Sequence, residues 1–275
     1  MKKDIARGSM LYKCQDSDKN LLYSYIGENT KHCIYPYLDL HKYTLSEPFM
    51  DAWLIKSNES SIEALLFRYH NGLHIYATSP LINVTTIISI INEYNITFVG
   101  SSPATIKQLL PHIHGFIAEY GQIMKYDAKT NAITENVSIA TESDMDEITR
   151  LILKSPEIGT LYSFDDLHNQ LIERYRTNYS RSYIIRKDGV IVSHASTGAE
   201  CDKVATVVYV VTDENHRHHG YASTVVTALC NSLVNENKEV FLVCYEQNTK
   251  QLYEKLGFTT CCEYGKLTSS ASKCI

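Results

Sequence analysis

The sequence predicts an α/β fold divided between two domains, and three observations carry that expectation. Apolar runs of strand type alternate with segments of helical period along the chain. A length of 275 residues suits two modest domains or one large one. An uncharged, β-branched run at 207–212 is followed by Arg217-His218-His219-Gly220-Tyr221-Ala222 and then by Ala222, Val225, Val226, Leu229 and Leu233 at helical spacing.

In the first half, residues 52–56 read as a strand. Residues 62–69 and 73–77 flank His70-Asn71-Gly72 as the arms of a hairpin. Val84, Ile87, Ile88 and Ile91 mark one face of a helix. Residues 96–100 form a strand, and Pro103 opens a helix to about His112 with Ser101 or Ser102 as its N-cap. The composition turns polar over 126–134, where a linker is expected, so the domains are drawn as 1–135 and 136–275.

The second half is more legible. Residues 137–140 form a short strand, and Thr141-Glu142-Ser143-Asp144 caps a helix that turns Ile148, Leu151 and Ile152 inward. Ser163 caps a second helix to Tyr175. Strands at 183–186 and 190–194 flank Asp188-Gly189, a two-residue hairpin signal. A long strand at 203–212, the basic turn and its helix, a strand at 239–245, a helix at 249–256 and a strand at 258–267 complete the order β-α-α-β-β-β-α-β-α-β.

Composition narrows the function. The net charge is −5, with 12 basic and 13 acidic residues up to position 135 and 14 and 18 beyond it, so neither half is a basic module for nucleic acid or an anionic membrane. The eight cysteines form no ladder and no CxxC pair, which points to reduced thiols and a cytoplasmic protein. The first seven residues are too polar for the core of a signal peptide. The longest uncharged run, near 73–92, is broken by Pro80, Asn83 and threonines, and makes a poor membrane span.

A strand that ends in a basic, glycine-containing turn at a helix N-terminus is an anion site, and Gly220 lets a phosphate approach the backbone closely. That implies a diphosphate ligand. His216, His218 and His219 also raise the thought of a metal, but no carboxylate or cysteine stands at ligand spacing and no metal is expected. A nucleotide-binding Rossmann domain lacks its glycine spacing here.

The element order, the Arg217–Ala222 turn of form Arg-x-x-Gly-x-Ala, and Leu252-Tyr253-Glu254-Lys255-Leu256-Gly257-Phe258 together resemble the GNAT acetyltransferase superfamily over roughly residues 136–268. The first half is similar in outline to the degenerate GNAT-like half of tandem members, without a phosphate turn of its own. The resemblance implies two GNAT-like domains, each a mixed sheet flanked by helices, with central parallel strands that splay apart. It implies acetyl-CoA as co-substrate, held by the main chain of Val210, Val211 and Thr212, by Arg217, His218, His219, Gly220, Tyr221 and Ala222 around the diphosphate, and by Asn248. Many members have an asparagine seven residues before the tyrosine; here that position is Glu246. Tyr253 is the implied general acid for the leaving thiolate; packing beside Leu252 and Leu256 is its competing reading.

The amine must lose a proton before direct attack through a tetrahedral intermediate, and Glu200, His194, Tyr209 and Asp213 are candidate bases on neighbouring strands. Glu200 is the first choice, against the reading of a solvated strand-end carboxylate. The implied activity is acetyl transfer to a primary amine of a small molecule or peptide. The alternative is a non-catalytic acyl-CoA-binding or regulatory module. The net negative charge leans toward a cationic acceptor; the acceptor and the oligomeric state stay open.

Overall fold

The computed structural model describes residues 9–58, 61–78, 82–128, 136–159 and 162–270. In chain order its elements are β1 (Met10–Lys13), α1 (Lys19–Ile26), α2 (Ile34–Lys42), β2 (Met50–Asn58), β3 (Ser61–Tyr69), β4 (Gly72–Ala77), α3 (Val84–Glu93), β5 (Phe98–Ser101), α4 (Pro103–Leu109), β6 (Phe116–Tyr126), β7 (Val137–Ile139), α5 (Met145–Leu153), α6 (Pro156–Gly159), α7 (Phe164–Arg176), β8 (Ser182–Lys187), β9 (Val190–Glu200), β10 (Val204–Thr212), α8 (Tyr221–Asn235), β11 (Glu239–Cys244), α9 (Gln247–Lys255) and β12 (Phe258–Ser269). The polar first seven residues and most of the expected linker, 129–134, lie outside the described residues.

The chain forms two compact units, Met1–Gln122 with Cys262–Ile275, and Ile123–Cys261. This differs from a single division after residue 135. The reason is strand pairing: Gly265, Lys266, Leu267 and Thr268 of β12 run antiparallel to Ser101, Gly100, Val99 and Phe98 of β5. Leu267 is buried in the first unit's core beside Ile106 and Val99.

Each unit is a mixed sheet flanked by helices. In the first, β1, β2, β3 and β4 pair antiparallel in sequence order, and β4 then pairs parallel with β5 at the far side of α3. Successive residues of a strand face opposite sides. Leu54 and Leu65 therefore enter the cluster with Leu22 and Ile26 of α1, while Ile55 and Leu66 enter the cluster with Ile87 and Ile91 of α3. The His70-Asn71 loop closes the hairpin, with Tyr69 opposite Gly72. Ser102 Oγ accepts from the Thr105 N–H, identifying the cap of α4.

In the second unit β7, β8, β9 and β10 are antiparallel neighbours and β10 is parallel to β11. Ile184 and Ile191 pack under α5 and α7, and Ile185 and Val192 under α8. Asp188 and Gly189 both have positive φ, as a tight primed turn between right-twisted strands requires. Ser163 Oγ accepts from the Asp166 N–H at the start of α7. The Thr141 N–H donates to Asp144 before α5. The expected order of elements is present, with the short α6 added. In the first half of the chain β1, α1, α2 and β6 had no sequence prediction.

Candidate functional site

The parallel pair of the second unit is joined over a short length only. Val204, Ala205 and Thr206 of β10 stand beside Glu239, Val240 and Phe241 of β11, and no further pair between these strands occurs among the described residues. Residues 207–212 continue without β11 at their side. Main-chain groups along that edge need other partners.

On its other edge β10 stays with β9 but breaks register. Val208 faces Ser196 and Val211 faces His194, so Tyr209 and Val210 together stand against the single residue Ala195, a bulge of one extra residue. Tyr209 takes a left-handed φ of 51°. The bulge divides the strand's side chains. Val210 packs against the cluster of α8 and α9, whereas Tyr209 and Val211 pack against that of α5 and α7. His194, fully buried, holds the bulge: its Nδ1–H donates to the Tyr209 carbonyl at 2.8 Å and its Nε2 accepts from the Ser182 hydroxyl at 3.1 Å. Thr212 is tied to β9 through a 2.8 Å hydroxyl contact with Ser193.

After Thr212 the chain makes a single 3-10 turn, Glu214–His216, and arrives at α8. Arg217 Nε reaches back to the Thr212 carbonyl at 3.4 Å, so this side chain helps order the turn. His218 and Gly220 adopt φ of 65° and 78°, and Gly220 is the N-cap of α8. No side chain caps this helix, and a Cβ built on Gly220 meets nothing within 4 Å. The first-turn N–H groups at Tyr221 and Ala222 therefore lie at a helix tip beside open space, the positive end of the helix dipole. His219 stacks on Tyr221, and His216 Nδ1 lies 3.5 Å from Asp213 Oδ1. Among the described residues no group of three metal-ligating side chains occurs.

Tyr253 is buried on α9 within the same cluster that Val210 packs against, its ring edge-on to Phe258 at 5.4 Å. Asn248 is exposed in the first turn of α9, which starts at Gln247 rather than at Thr249.

Glu200 is not placed for chemistry. It stands opposite Ala205, in the part of β10 that is still paired on both sides. Arg181 grips both of its oxygens, at 2.9 and 2.7 Å, and Lys238 Nζ lies 2.5 Å away. A carboxylate buried between two cations is a structural anchor, and the choice of Glu200 as base is corrected on that ground. The other candidates fare similarly. Burial lowers the His194 pKa to about 4, and both ring nitrogens are engaged. Burial, followed by the neighbouring Tyr162, pushes the Tyr209 phenol up, so it stays protonated. The hydrogen bond from Lys154 holds Asp213 at about 2.

Val210, Val211 and Thr212 thus lie on the part of β10 that β11 does not pair, and Arg217, His218, His219, Gly220, Tyr221 and Ala222 form the turn and the uncapped start of α8 that follow it. A long, thin ligand with amides in its middle and an anion at its end fits those donors and acceptors. The sequence did not disclose the bulge or the role of His194, since nothing in 208–211 carries the glycine or asparagine that usually announces a left-handed residue.

A family model described as GNAT acetyltransferase matches residues 117–267. Among solved structures, the chain is similar to a GCN5-related N-acetyltransferase from Sphaerobacter thermophilus, at 13% identity and TM-score 0.64 with 94% of each chain covered. It is also similar to a GCN5-related N-acetyltransferase-like protein from Streptococcus suis, at 14% identity and TM-score 0.59, covering 93% of this chain and 99% of that one. A tandem GNAT protein from the clavulanic acid biosynthesis pathway aligns at 10% identity and TM-score 0.58 over 95% and 98%. No curated protein sequence matches the chain.

Proposed function

Because the chain belongs to the GNAT acetyltransferase family, whose members use acetyl-CoA, we propose that it moves an acetyl group to a primary amine of a small molecule or peptide by direct attack. One observation carries this reading: the β10 edge left bare after Thr206 runs straight into the uncapped tip of α8. Bound there, acetyl-CoA supplies an acetyl thioester and an anionic diphosphate. Val210, Val211 and Thr212 offer main-chain groups to the amide-bearing arm. The N–H groups at 218–222 and the Arg217 charge receive the diphosphate. Asn248, at the exposed start of α9, is a further contact.

Tyr253 is the proton donor in this reading. A phenol hydroxyl can protonate a departing thiolate. None of the four candidate bases suits proton removal, so the amine loses its proton to water at the mouth of the gap. The parallel pair β4 and β5, joined across α3 as β10 and β11 are joined across α8, supports reading the first half as a degenerate relative of the second. The cysteine spacing supports a cytoplasmic setting. Among the described residues no helix is long and apolar enough to cross a membrane.

The test is thiol release from acetyl-CoA against a broad amine panel, with Tyr253→Phe alongside. A transferase loses roughly 100-fold in kcat on that change while acetyl-CoA affinity holds. A wild-type chain that binds CoA and acetylates nothing is instead the non-catalytic acyl-CoA-binding module.

A further inference from the structure

Among the described lysines of the second unit, Lys125, Lys154, Lys238 and Lys250 each stand at ion-pair distance from a carboxylate, and Lys203 and Lys255 are exposed. Lys187 is half-buried and holds no carboxylate among the described residues. Its acidic chain neighbour, Asp188, is exposed in the tight turn that follows β8. Tyr183, Ile185 and Lys187 alternate onto one face of β8, and the first two belong to the cluster that packs under α8. Lys187 continues that row to the end of the strand, where its Nζ lies 5.4 Å from the centre of the Tyr221 ring. Tyr221 is the first residue of α8 after the Gly220 cap, and His219 stacks on the same ring at 5.6 Å. The lysine therefore stands beside the uncapped helix tip, on an element that the turn motif does not include.

A second observation comes from the strand next to it. Val190 of β9 is the direct partner of Lys187 across the hairpin, so the two side chains share a face. Val190 is 57% exposed, whereas Val192, further along β9, is buried in the cluster under α8. An unmatched cation and a bare apolar side chain thus lie together at the end of the sheet nearest the tip. Packing on Tyr221 occupies the lysine stem but supplies no counter-charge.

We propose that Lys187 receives the 3′-phosphate of the cofactor's adenosine, with Val190 against the adenine, so that the chain distinguishes CoA from 3′-dephospho-CoA. The proposal rests on the acetyltransferase reading above and adds a specificity contact to its cofactor site. In that reading the diphosphate takes the N–H groups at 218–222 and the Arg217 charge. CoA carries one more phosphate, on the ribose just beyond the diphosphate, and Lys187 is the cation left beside the tip to meet it. β8 lies two strands from β10, on the side away from β11, clear of the edge given to the amide-bearing arm. A lysine serves a phosphate as a compact point charge and demands no planar, two-point approach.

The experiment is calorimetric titration of the full chain with CoA and with 3′-dephospho-CoA, in wild type, Lys187→Met and Lys187→Arg. Wild type is expected to prefer CoA by roughly 10-fold, the worth of one charge-assisted hydrogen bond, and the preference is expected to shrink as salt is added. Lys187→Met keeps an apolar stem on Tyr221 and loses the charge. It is expected to erase the preference while binding 3′-dephospho-CoA as wild type does, and Lys187→Arg is expected to keep most of the preference. Equal wild-type affinity for the two compounds overturns the inference and leaves the transferase reading standing. An equal loss for both compounds in Lys187→Met does the same, since it marks the lysine as a support of the fold or of the diphosphate. A chain that binds neither compound overturns the transferase reading and the inference with it.

Discussion

His194 donates from Nδ1 to the carbonyl oxygen of Tyr209 at 2.8 Å, across the register break between β9 and β10. The bond fixes the imidazole tautomer and leaves Nε2 to accept from Ser182. It also anchors a residue whose left-handed φ of 51° costs about 1 kcal/mol or more in a non-glycine residue. The histidine acts on the site through the backbone it holds.

Burial lowers the His194 pKa from 6.5 to about 4. The unfolded chain therefore binds this proton more tightly than the folded one, and stability is full above 6.5 and falls as pH drops toward 4. The complete shift is worth roughly 3 kcal/mol. His74, in the first unit, is lowered to about 4 by burial as well and bends the curve the same way. Denaturant unfolding at several pH values between 7.5 and 4.5 isolates His194 by comparison with His194→Gln. The variant is expected to lose about 1 kcal/mol at pH 7.5 and to show a shallower decline below 6.5. Parallel pH curves for the two proteins would mean that the imidazole titrates as freely folded as unfolded.

Gly220 separates the needs of the fold from those of the ligand. A methyl there meets no atom within 4 Å, so only the φ of 78° resists it. Gly220→Ala is expected to lower stability by about 1 kcal/mol. The same methyl stands where a phosphate would approach the tip of α8, and CoA affinity measured by calorimetry is expected to fall by more than that energy alone implies. Unchanged affinity would move the diphosphate elsewhere.

Much of this was legible in the sequence because local chemistry dictates it. Asp188-Gly189 forms its tight turn, Ser102 and Ser163 cap their helices, and the strand–turn–helix at 204–235 stands where its pattern placed it. Other features depend on partners distant in sequence. Glu200 looks like a strand-end carboxylate until Arg181 and Lys238 close on it. The alternation of β12 announces a strand but does not say that Leu267 lies beside Val99. α1 has eight residues, too few for a period to stand out.

Glu200 supplies a direct check on the corrected role. Removing its charge leaves Arg181 and Lys238 with a buried neutral neighbour, and Glu200→Gln is expected to cost roughly 3 kcal/mol in denaturant unfolding. Activity per folded molecule and its pH profile are expected to stay close to wild type. A collapse of kcat with unchanged stability would restore Glu200 as the base.

Gly257 tests why the Leu-Gly-Phe end of the tyrosine motif needs its glycine. Its φ is 96°, and a Cβ would come within 2.2 Å of the Ala128 Cβ. The segment is held in place: the Asp127 N–H donates to the Gly257 carbonyl at 3.1 Å, and Thr259 Oγ1 donates to Asp127 at 2.5 Å. Gly257→Ala is expected to cost about 2–4 kcal/mol, from the clash and the backbone together. Ala128→Gly removes the clash but not the backbone strain. In a double-mutant cycle the pair should therefore recover about 1–2 kcal/mol of the loss. Strict additivity would show that the left-handed backbone alone, and not the approach of Ala128, excludes a side chain at this turn.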